Sequence, residues 1–351
     1  ANLYIRVLQD LDRHPEAGLI VDLASDPENG IRALERVKQA APGLYVIASN
    51  YHADGEMVIA AVRAGANDFL VQPIRRLEFR DAVTRFEKAP KAPAAAASRL
   101  GRVYTFLGVR GGVGTTTLAV NFASVLAQRK QNAVLVDLDW AGSDVAMHLG
   151  AQPQYTLLEV GENLGKMDQQ LFEGFVTRDP LGFFLVGPPD SIEHQDYFTE
   201  PMFRDFANFL VEKYDAVVID AGRNPGSPLA MGALHVSTTI FLAMDQEFGS
   251  VRNAQRTLSY LMRMGFTQDQ LKIVINRYQK KAPSQLAAID QIRQTLNQEI
   301  FYGIPPSPAV LNSINRGRPF VANREAAGDL DRVFRAFVDK ATGRKPAAQT
   351  A

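Results

Sequence analysis

Cysteine is absent from this 351-residue chain, which excludes disulfide bonds, thiolate metal ligands and cysteine nucleophiles. Histidine is scarce, with five residues and no clustered pair, so the sequence disfavours a histidine-rich metal site. No apolar run approaches the roughly 18–20 residues of a membrane-spanning helix. The first residues also lack the form of a secretory signal. From these absences we expect a soluble, cytoplasmic protein.

Charge of one sign is not in excess either. Lys and Arg together number 38, as do Asp and Glu, so the formal net charge is zero. This balance disfavours a strongly basic nucleic-acid binder, although it leaves room for a local basic patch. The hydrophobic share of 46% is typical of a globular chain. At about 150 residues per domain, the length predicts two domains.

One stretch has the composition of a linker. Residues 88–98 contain two Ala-Pro steps, which favour extended backbone, and four consecutive alanines, which offer little to bury. A solvent-exposed helix is the alternative for this stretch. We place the linker at 88–101, a smaller domain at 1–87 and a larger domain at 102–342. The last residues, 343–351, read as a flexible tail.

Short apolar strands alternate with amphipathic helices in both domains, a pattern typical of α/β folds with a parallel sheet. The smaller domain has a predicted helix before Pro15 and predicted strands at 19–21, 45–47 and 69–71. In the larger domain a strand, a glycine-rich turn and a helix come first. The elements predicted there are strands at 103–107, 133–136, 183–186, 216–219, 238–243 and 272–275 and helices at 116–129 and 324–341.

The strongest motif is Arg-Gly-Gly-Val-Gly-Thr-Thr-Thr at residues 110–117, which we name the phosphate loop. It follows a predicted strand and opens a predicted helix, the context in which glycine-rich loops bind phosphate. Glycines let backbone N–H groups approach phosphate oxygens, and the helix N-terminus adds partial positive charge. The Thr116 hydroxyl suits Mg²⁺. The candidate nucleotide-binding residues of the loop are Arg110, Gly111, Gly112, Val113, Gly114, Thr115, Thr116 and Thr117.

This loop resembles the deviant Walker A motif of the ParA/MinD ATPases, Lys-Gly-Gly-x-Gly-Lys-Thr/Ser-Thr, and the resemblance implies ATP and Mg²⁺ as ligands. Arg110 stands where the family has a lysine that reaches across a dimer to the partner's phosphates, and Thr115 replaces the ordinary P-loop lysine. Without that lysine we expect phosphate binding to be weaker by about 1.5–3 kcal/mol, with partial compensation from Arg110. Hydrolysis should suffer more, because phosphoryl transfer depends on charge neutralisation, so we expect weak hydrolysis at most.

Aspartates at two strand ends extend the resemblance. Residues 134–139 end in Asp-Leu-Asp, where the family carries Asp-x-Asp, and residues 214–220 read as a Walker B strand. The resemblance implies that Asp137 organises the water shell of Mg²⁺, that Asp139 positions the attacking water, and that Asp220 lies near the metal. The implied metal set is Thr116, Asp137 and Asp220. The implied catalytic set is Asp139, Asp137 and Arg110.

A third match follows the strand at 272–275. There Asn276 and Arg277 resemble the family's Asn-Arg pair, whose asparagine reads the edge of the adenine ring. Pro305 comes at the spacing of the family's loop beside the base. The resemblance therefore implies that Asn276, Arg277 and Pro305 belong to the nucleotide site. A plain turn residue is the alternative for Asn276.

The smaller domain resembles the last three strand–helix units of a response-regulator receiver. Asp22 holds the phosphoacceptor position, Ser49 matches the switch hydroxyl, and Gln72 replaces the lysine that contacts the phosphoryl group. Loss of that lysine argues against phosphorylation of Asp22 and favours a degenerate docking or dimerisation module. The first unit and the second strand of a receiver have no counterpart, so either the front is truncated or the domain is a reduced variant. We expect truncation, because a sheet without these elements exposes an edge and an apolar face.

The whole combination resembles the TadZ/CpaE family of Tad (Flp, type IVc) pilus assembly proteins. The segments that carry this resemblance are 110–121, 138–149, 275–278, 299–301 and 314–319. It implies an α/β fold with a three-layer P-loop domain after an incomplete receiver-like domain. It also implies an ATP-dependent homodimer at a cell pole or the inner-membrane face. The implied partners are pilus secretion components, namely the secretion ATPase and the inner-membrane platform, with no sequence-specific nucleic acid.

The alternatives stay within related classes. A ParA-type partitioning ATPase would bind DNA non-specifically, with Arg316, Arg318 and Arg324 as a candidate basic patch. A MinD-like positioning ATPase would associate peripherally with a membrane, for which the apolar stripe of the last helix is the candidate. That stripe, which includes Leu330 and Phe337, is more typical of core packing. A response regulator with an ATPase output would need acyl phosphate chemistry in the smaller domain.

Overall fold

The computed structural model describes residues 7, 16–89, 100–189 and 197–344. The chain divides into two compact units, residues 1–100 and 101–351, each described separately. The predicted helix before Pro15 apart from residue 7, residues 90–99 of the predicted linker and the tail from residue 345 onward lie outside the described residues.

In its described residues the first unit contains a three-stranded parallel sheet, whose strands lie side by side in chain order. Two of its helices, Pro27–Ala40 and Gly55–Arg63, begin at capping residues, since the side chains of Asp26 and Asp54 accept hydrogen bonds from their first turns. The elements are β1 (Leu19–Asp22), α1 (Pro27–Ala40), β2 (Val46–Asn50), α2 (Gly55–Arg63), β3 (Asp68–Val71) and α3 (Arg76–Lys88).

The described part of the second unit is built on an eight-stranded sheet. Its strands are β4 (Arg102–Gly108), β5 (Ala133–Asp137), β6 (Thr177–Arg178), β7 (Phe184–Val186), β8 (Ala216–Asp220), β9 (Thr239–Met244), β10 (Leu271–Asn276) and β11 (Ile300–Ile304). They lie in the order β11-β10-β9-β4-β8-β5-β7-β6, and every pair is parallel except β6 with β7. The predicted α/β fold with a parallel sheet is confirmed.

Helices and short 3₁₀ turns, among them Leu164–Lys166 and Phe320–Ala322, connect these strands. The helices are α4 (Thr115–Gln128), α5 (Val145–Leu149), α6 (Leu157–Asn163), α7 (Gln169–Phe175), α8 (Glu200–Lys213), α9 (Pro228–Val236), α10 (Phe248–Arg263), α11 (Ile289–Leu296), α12 (Pro308–Asn315), α13 (Arg324–Ala327) and α14 (Asp329–Thr342). None of the helices in the described ranges is both long and apolar enough to cross a lipid bilayer.

The core of this unit joins β4, β9, α4 and α14 through aromatic rings. Phe122 on α4 lies 5.3 Å from Phe106 and 5.7 Å from Phe337, measured between ring centroids. Phe337 on α14 in turn lies 5.2 Å from Phe241 on β9. Leu330 is buried with them, so most of the apolar stripe of the last helix packs in the core, as its spacing favours. The described part of α14 therefore offers no apolar stripe to a membrane.

One predicted element was wrong in detail, and one short strand was missed. The helix expected at 324–341 is two helices, because Gly328 adopts φ +53° between α13 and α14 and interrupts the helical hydrogen bonds. The strand expected at 183–186 is real as β7, but it pairs with a two-residue antiparallel strand, β6, that was too short to show a periodic pattern.

Candidate functional site

The phosphate loop connects the carboxyl end of β4 to the first turn of α4. Gly112 and Gly114 adopt φ values of +76° and +90°, which side-chain-bearing residues rarely tolerate. A Cβ on Gly114 would overlap the Nδ2 atom of Asn276, so the loop passes directly against the end of β10. The glycines are thus needed for the path of the backbone as well as for access to its N–H groups.

Two side chains at the end of β10 hold this loop in place. Asn276 Nδ2 donates to the carbonyl oxygen of Val113 at 2.8 Å, and Arg277 Nη1 donates to that of Gly112 at 2.9 Å. Arg277 itself adopts φ +54°, which aims its guanidinium back at the loop. The resemblance implied that Asn276 reads the adenine edge. In the structure its amide is bonded to the loop backbone, and the role toward a base stays a prediction.

Asp245, which follows β9, is the carboxylate that pairs with two arginines beside the phosphate loop. Its Oδ2 accepts hydrogen bonds from Arg110 at 2.9 Å and from Arg277 at 2.6 Å, and its side chain is 4% exposed. Burial alone would raise the pKa of Asp245, but hydrogen bonds from Arg110, Arg277, the Glu247 backbone and Ser250 together hold the pKa below its ordinary value of 3.8. Arg110 also pairs with the more exposed Glu247 at 2.6 Å. Arg110 is therefore anchored within its own chain.

Asp137 and Asp220 are directly opposite each other at the ends of the paired strands β5 and β8, and both are 1% exposed. Asp137 accepts hydrogen bonds from the Asp139 backbone and from Ser143 Oγ. Asp220 Oδ1 accepts one from the Gly222 backbone, whereas its Oδ2 is buried and has no hydrogen-bond partner among the described residues. Burial, and for Asp137 also the Asp220 charge, raises both pKa values, that of Asp220 to about 6.

These residues fit a divalent cation. An anionic oxygen that is buried and unpaired is unfavourable unless a cation or proton neutralises it, and Asp220 Oδ2 is such an atom. The Thr116 hydroxyl lies close enough to lower the pKa of Asp220. In the described ranges no group of three or more His, Asp or Glu side chains forms a complete metal cage. A few oxygen donors are enough for Mg²⁺, because this ion usually keeps several water ligands and takes others from the phosphates of a bound nucleotide.

A cavity of about 840 Å³ opens beside the phosphate loop. The predicted residues that line it are Arg110, Gly111, Gly112, Gly114, Thr115, Thr116, Thr117, Asp139, Asn276, Arg277 and Pro305. Three other predicted residues, Val113, Asp137 and Asp220, are buried beneath it rather than in its wall. The structure thus brings the predicted nucleotide and metal residues to one end of the sheet.

The cavity wall also contains residues that the sequence reasoning missed. They include Asp144, His148, Arg223, Ser307 and Leu311. Arg223 lies three residues after the Walker B aspartate Asp220, and this position next to a strand end is the sequence feature that could have indicated it. Asp245, whose partners Arg110 and Arg277 line the wall, had the analogous signal of coming directly after strand β9.

A second cluster forms in the first unit, at the carboxyl ends of its strands. Gln72 Nε2 donates to Asp22 Oδ1 at 2.8 Å and to Ser49 Oγ at 3.0 Å. The three residues that resemble the receiver site are thus neighbours. The Gln72 amide is neutral, so Gln72 cannot balance the negative charge of a phosphoryl group on Asp22. The receiver interpretation stays a prediction.

The glycine-rich turn between β4 and α4, the aspartates at neighbouring strand ends and the parallel sheet define an α/β nucleotide-binding protein of the P-loop class. The family model described as CobQ/CobB/MinD/ParA nucleotide binding domain matches residues 104–320, and the chain belongs to this family.

Similar proteins agree with this assignment. The septum site-determining protein MinD of Thermotoga maritima is 25% identical over 230 residues, covering 64% of this chain and 82% of that protein. A crystal structure of a ParA family ATPase from Chlorobium tepidum has a TM-score of 0.63 at 19% identity and covers 68% of this chain and 98% of that one. The MinD of Pyrococcus horikoshii complexed with Mg-ADP has a TM-score of 0.59 at 18% identity, covering 69% and 96%.

Replacing Asp220 by asparagine tests the metal assignment. We expect the gain in ATP-analogue affinity that Mg²⁺ provides to fall about tenfold, because the buried anionic oxygen that the cation would neutralise is lost. The measurement is a fluorescence titration with a labelled ATP analogue, in Mg²⁺ and in EDTA. Asp329→Asn, at a carboxylate with 89% exposure, is the control. An unchanged Mg²⁺ effect in Asp220→Asn would remove Asp220 from the metal site.

Proposed function

We propose that this protein binds ATP with Mg²⁺ in the cavity beside the phosphate loop and works as a nucleotide-dependent switch. The observation that carries the proposal is the phosphate loop with the unpaired Asp220 carboxylate oxygen beneath it. Thr116, Asp137 and Asp220 would hold the Mg²⁺, which neutralises phosphate charge when bound. Hydrolysis is slow or absent, because Thr115 provides no cation.

The switch works through a homodimer in which two nucleotide cavities face each other. By resemblance, each Arg110 contacts the phosphates of the partner's nucleotide. In the structure Arg110 is paired with Asp245 and Glu247 of its own chain, so the contact across the dimer requires an exchange of partners. A nucleotide phosphate binds a guanidinium more strongly than either carboxylate does and therefore displaces them from Arg110. This exchange of partners consequently depends on ATP.

The cellular role we favour is a localisation and assembly hub for a Tad-type pilus. It is supported by the sequence resemblance to TadZ/CpaE proteins, which covers both units. In this role the ATP-bound dimer recruits the pilus secretion ATPase and the inner-membrane platform at a cell pole or at the inner-membrane face. In a co-purification experiment, we expect the tagged full chain to retain these components in the presence of ATP and to lose them without it.

A positioning or partitioning ATPase is the second candidate. The names of the similar proteins, MinD and ParA family ATPase, support it. Arg316, Arg318 and Arg324 are exposed near the end of α12 and the start of α13, as a non-specific DNA surface requires. A gel-shift with random-sequence duplex DNA distinguishes the two. ATP-dependent binding that is lost in Arg316→Ala/Arg318→Ala would favour partitioning over the pilus role.

The solution mass measured by light scattering tests the dimer. We expect ATP with Mg²⁺ to convert the wild type from monomer to dimer and to leave Arg110→Ala monomeric, because the variant lacks the guanidinium that reaches the partner's phosphates. The control is Arg204→Ala, at a half-exposed arginine on α8 that pairs with the exposed Asp205 at 3.9 Å. Nucleotide-independent dimers of both proteins would contradict the switch and point to the first unit as the dimer contact.

A further inference from the structure

The cavity has three arginines in its wall, namely Arg110, Arg223 and Arg277. Two of them are already neutralised, because Arg110 and Arg277 both donate to Asp245 Oδ2. Arg223 is exposed and, within the described parts of the chain, takes part in no hydrogen bond or ion pair. It is therefore the arginine of the cavity whose charge is not balanced by the protein.

Arg223 lies against the bare backbone of the phosphate loop. A Cβ built on Gly111 would be 2.7 Å from Arg223 Nη1, so the guanidinium occupies the space that a side chain at 111 would take. Gly111 follows Arg110 at the start of the loop, and both residues line the cavity. A phosphate bound by the loop's N–H groups would meet this guanidinium.

The residue before Arg223 is held by two hydrogen bonds. The Gly222 N–H donates to Asp220 Oδ1 at 3.1 Å, and the Gly222 carbonyl accepts from the Gly108 N–H at 2.7 Å. Gly222 adopts φ +64°, and a Cβ there would be 2.7 Å from Asp139 Cγ, so only glycine fits between them. These contacts tie the position of Arg223 to the Walker B aspartate and to the strand before the phosphate loop.

We propose that Arg223 is a phosphate-binding residue that supplies, from the loop after β8, the positive charge that Thr115 cannot supply from the phosphate loop. The inference rests on the proposed binding of ATP and assigns a further residue to that site. A guanidinium can make two parallel hydrogen bonds to phosphate oxygens, and its charge is permanent at every physiological pH. Its effect should grow with the number of phosphates on the nucleotide.

Affinities for ATP, ADP and adenosine, measured by isothermal titration calorimetry with Mg²⁺, test this role. We expect Arg223→Ala to weaken ATP binding tenfold or more, the factor typical of a charge-assisted hydrogen bond, ADP binding less, and adenosine binding not at all. Arg223→Lys should retain most of the ATP affinity, whereas Arg223→Gln should behave like Arg223→Ala. Arg204→Ala serves as the charge-matched control, and thermal unfolding verifies that each variant is folded.

The outcomes separate this inference from the proposed function. If the wild type binds ATP and Arg223→Ala binds it equally well, the role of Arg223 is wrong and the proposed function stands. An equal loss for ATP and adenosine would also overturn it, since it would indicate a distorted cavity rather than a missing phosphate contact. If the wild type binds no nucleotide, the proposed function fails and the inference fails with it.

Discussion

Gly114→Ala is expected to lower ATP affinity at least a hundredfold and the free energy of unfolding by about 2–3 kcal/mol. A residue with a Cβ at φ +90° loses about 1–2 kcal/mol, and displacement of Asn276 from Val113 removes a hydrogen bond of about 1 kcal/mol. The methyl group would also overlap Asn276 Nδ2, so the loop must move and its N–H groups lose their alignment. Calorimetric titration with ATP and urea unfolding measure the two effects.

Two other glycines separate the causes. Gly112 also has a positive φ, +76°, but open space around its Cβ position, so Gly112→Ala reports the backbone strain alone in the unfolding experiment. Gly165 has neither feature, and Gly165→Ala should change stability by less than about 0.5 kcal/mol. In an Asn276→Ala background, Gly114→Ala should lower the free energy of unfolding by less, because Asn276 Nδ2 is no longer there to overlap the new methyl group. Strictly additive effects of the two substitutions would contradict the contact.

The architecture of the second unit could be predicted from the sequence because its strands are buried on both faces. Such strands form short continuous apolar runs that end in polar residues, so their positions are visible without the fold. The strand predicted at 216–219 is Ala216–Asp220 in the structure, and that predicted at 272–275 is Leu271–Asn276. The helix after the phosphate loop begins at Thr115, one residue before the predicted start.

The partners of the site could not be predicted in the same way. Asp245 pairs with Arg110 and Arg277, which lie 135 and 32 residues away in sequence, and only the strand order β10-β9-β4 makes the three neighbours. Arg223 belongs to no local pattern, since its contact with Gly111 depends on β8 lying beside β4. Motifs thus locate the loop and the strand-end aspartates, while the charge balance around them follows from topology.

Asp245→Asn is expected to lower the free energy of unfolding at pH 7 by about 2–4 kcal/mol. The substitution keeps the shape of the side chain but removes the charge that two guanidinium groups share, each in a charge-assisted hydrogen bond of about 1.5–3 kcal/mol. The sum is reduced because the two arginine side chains are 31% and 46% exposed and therefore partly hydrated. Urea unfolding of the full chain without nucleotide measures the difference.

The pH dependence of that difference identifies the charge as its cause. Because the pKa of Asp245 is lower in the folded protein than its ordinary value of 3.8, the ion pairs contribute fully above that value. Their contribution is lost as the pH falls through the folded-state pKa, so the stability gap between wild type and Asp245→Asn should be constant from pH 7 to 5 and shrink below about pH 4. Glu247→Gln is the matched control, since that carboxylate also pairs with Arg110 but is 54% exposed, and it should lower stability by less than about 1 kcal/mol. An equal loss in both variants, or a gap that persists unchanged to pH 3, would show that Asp245 does not organise the loop through its charge.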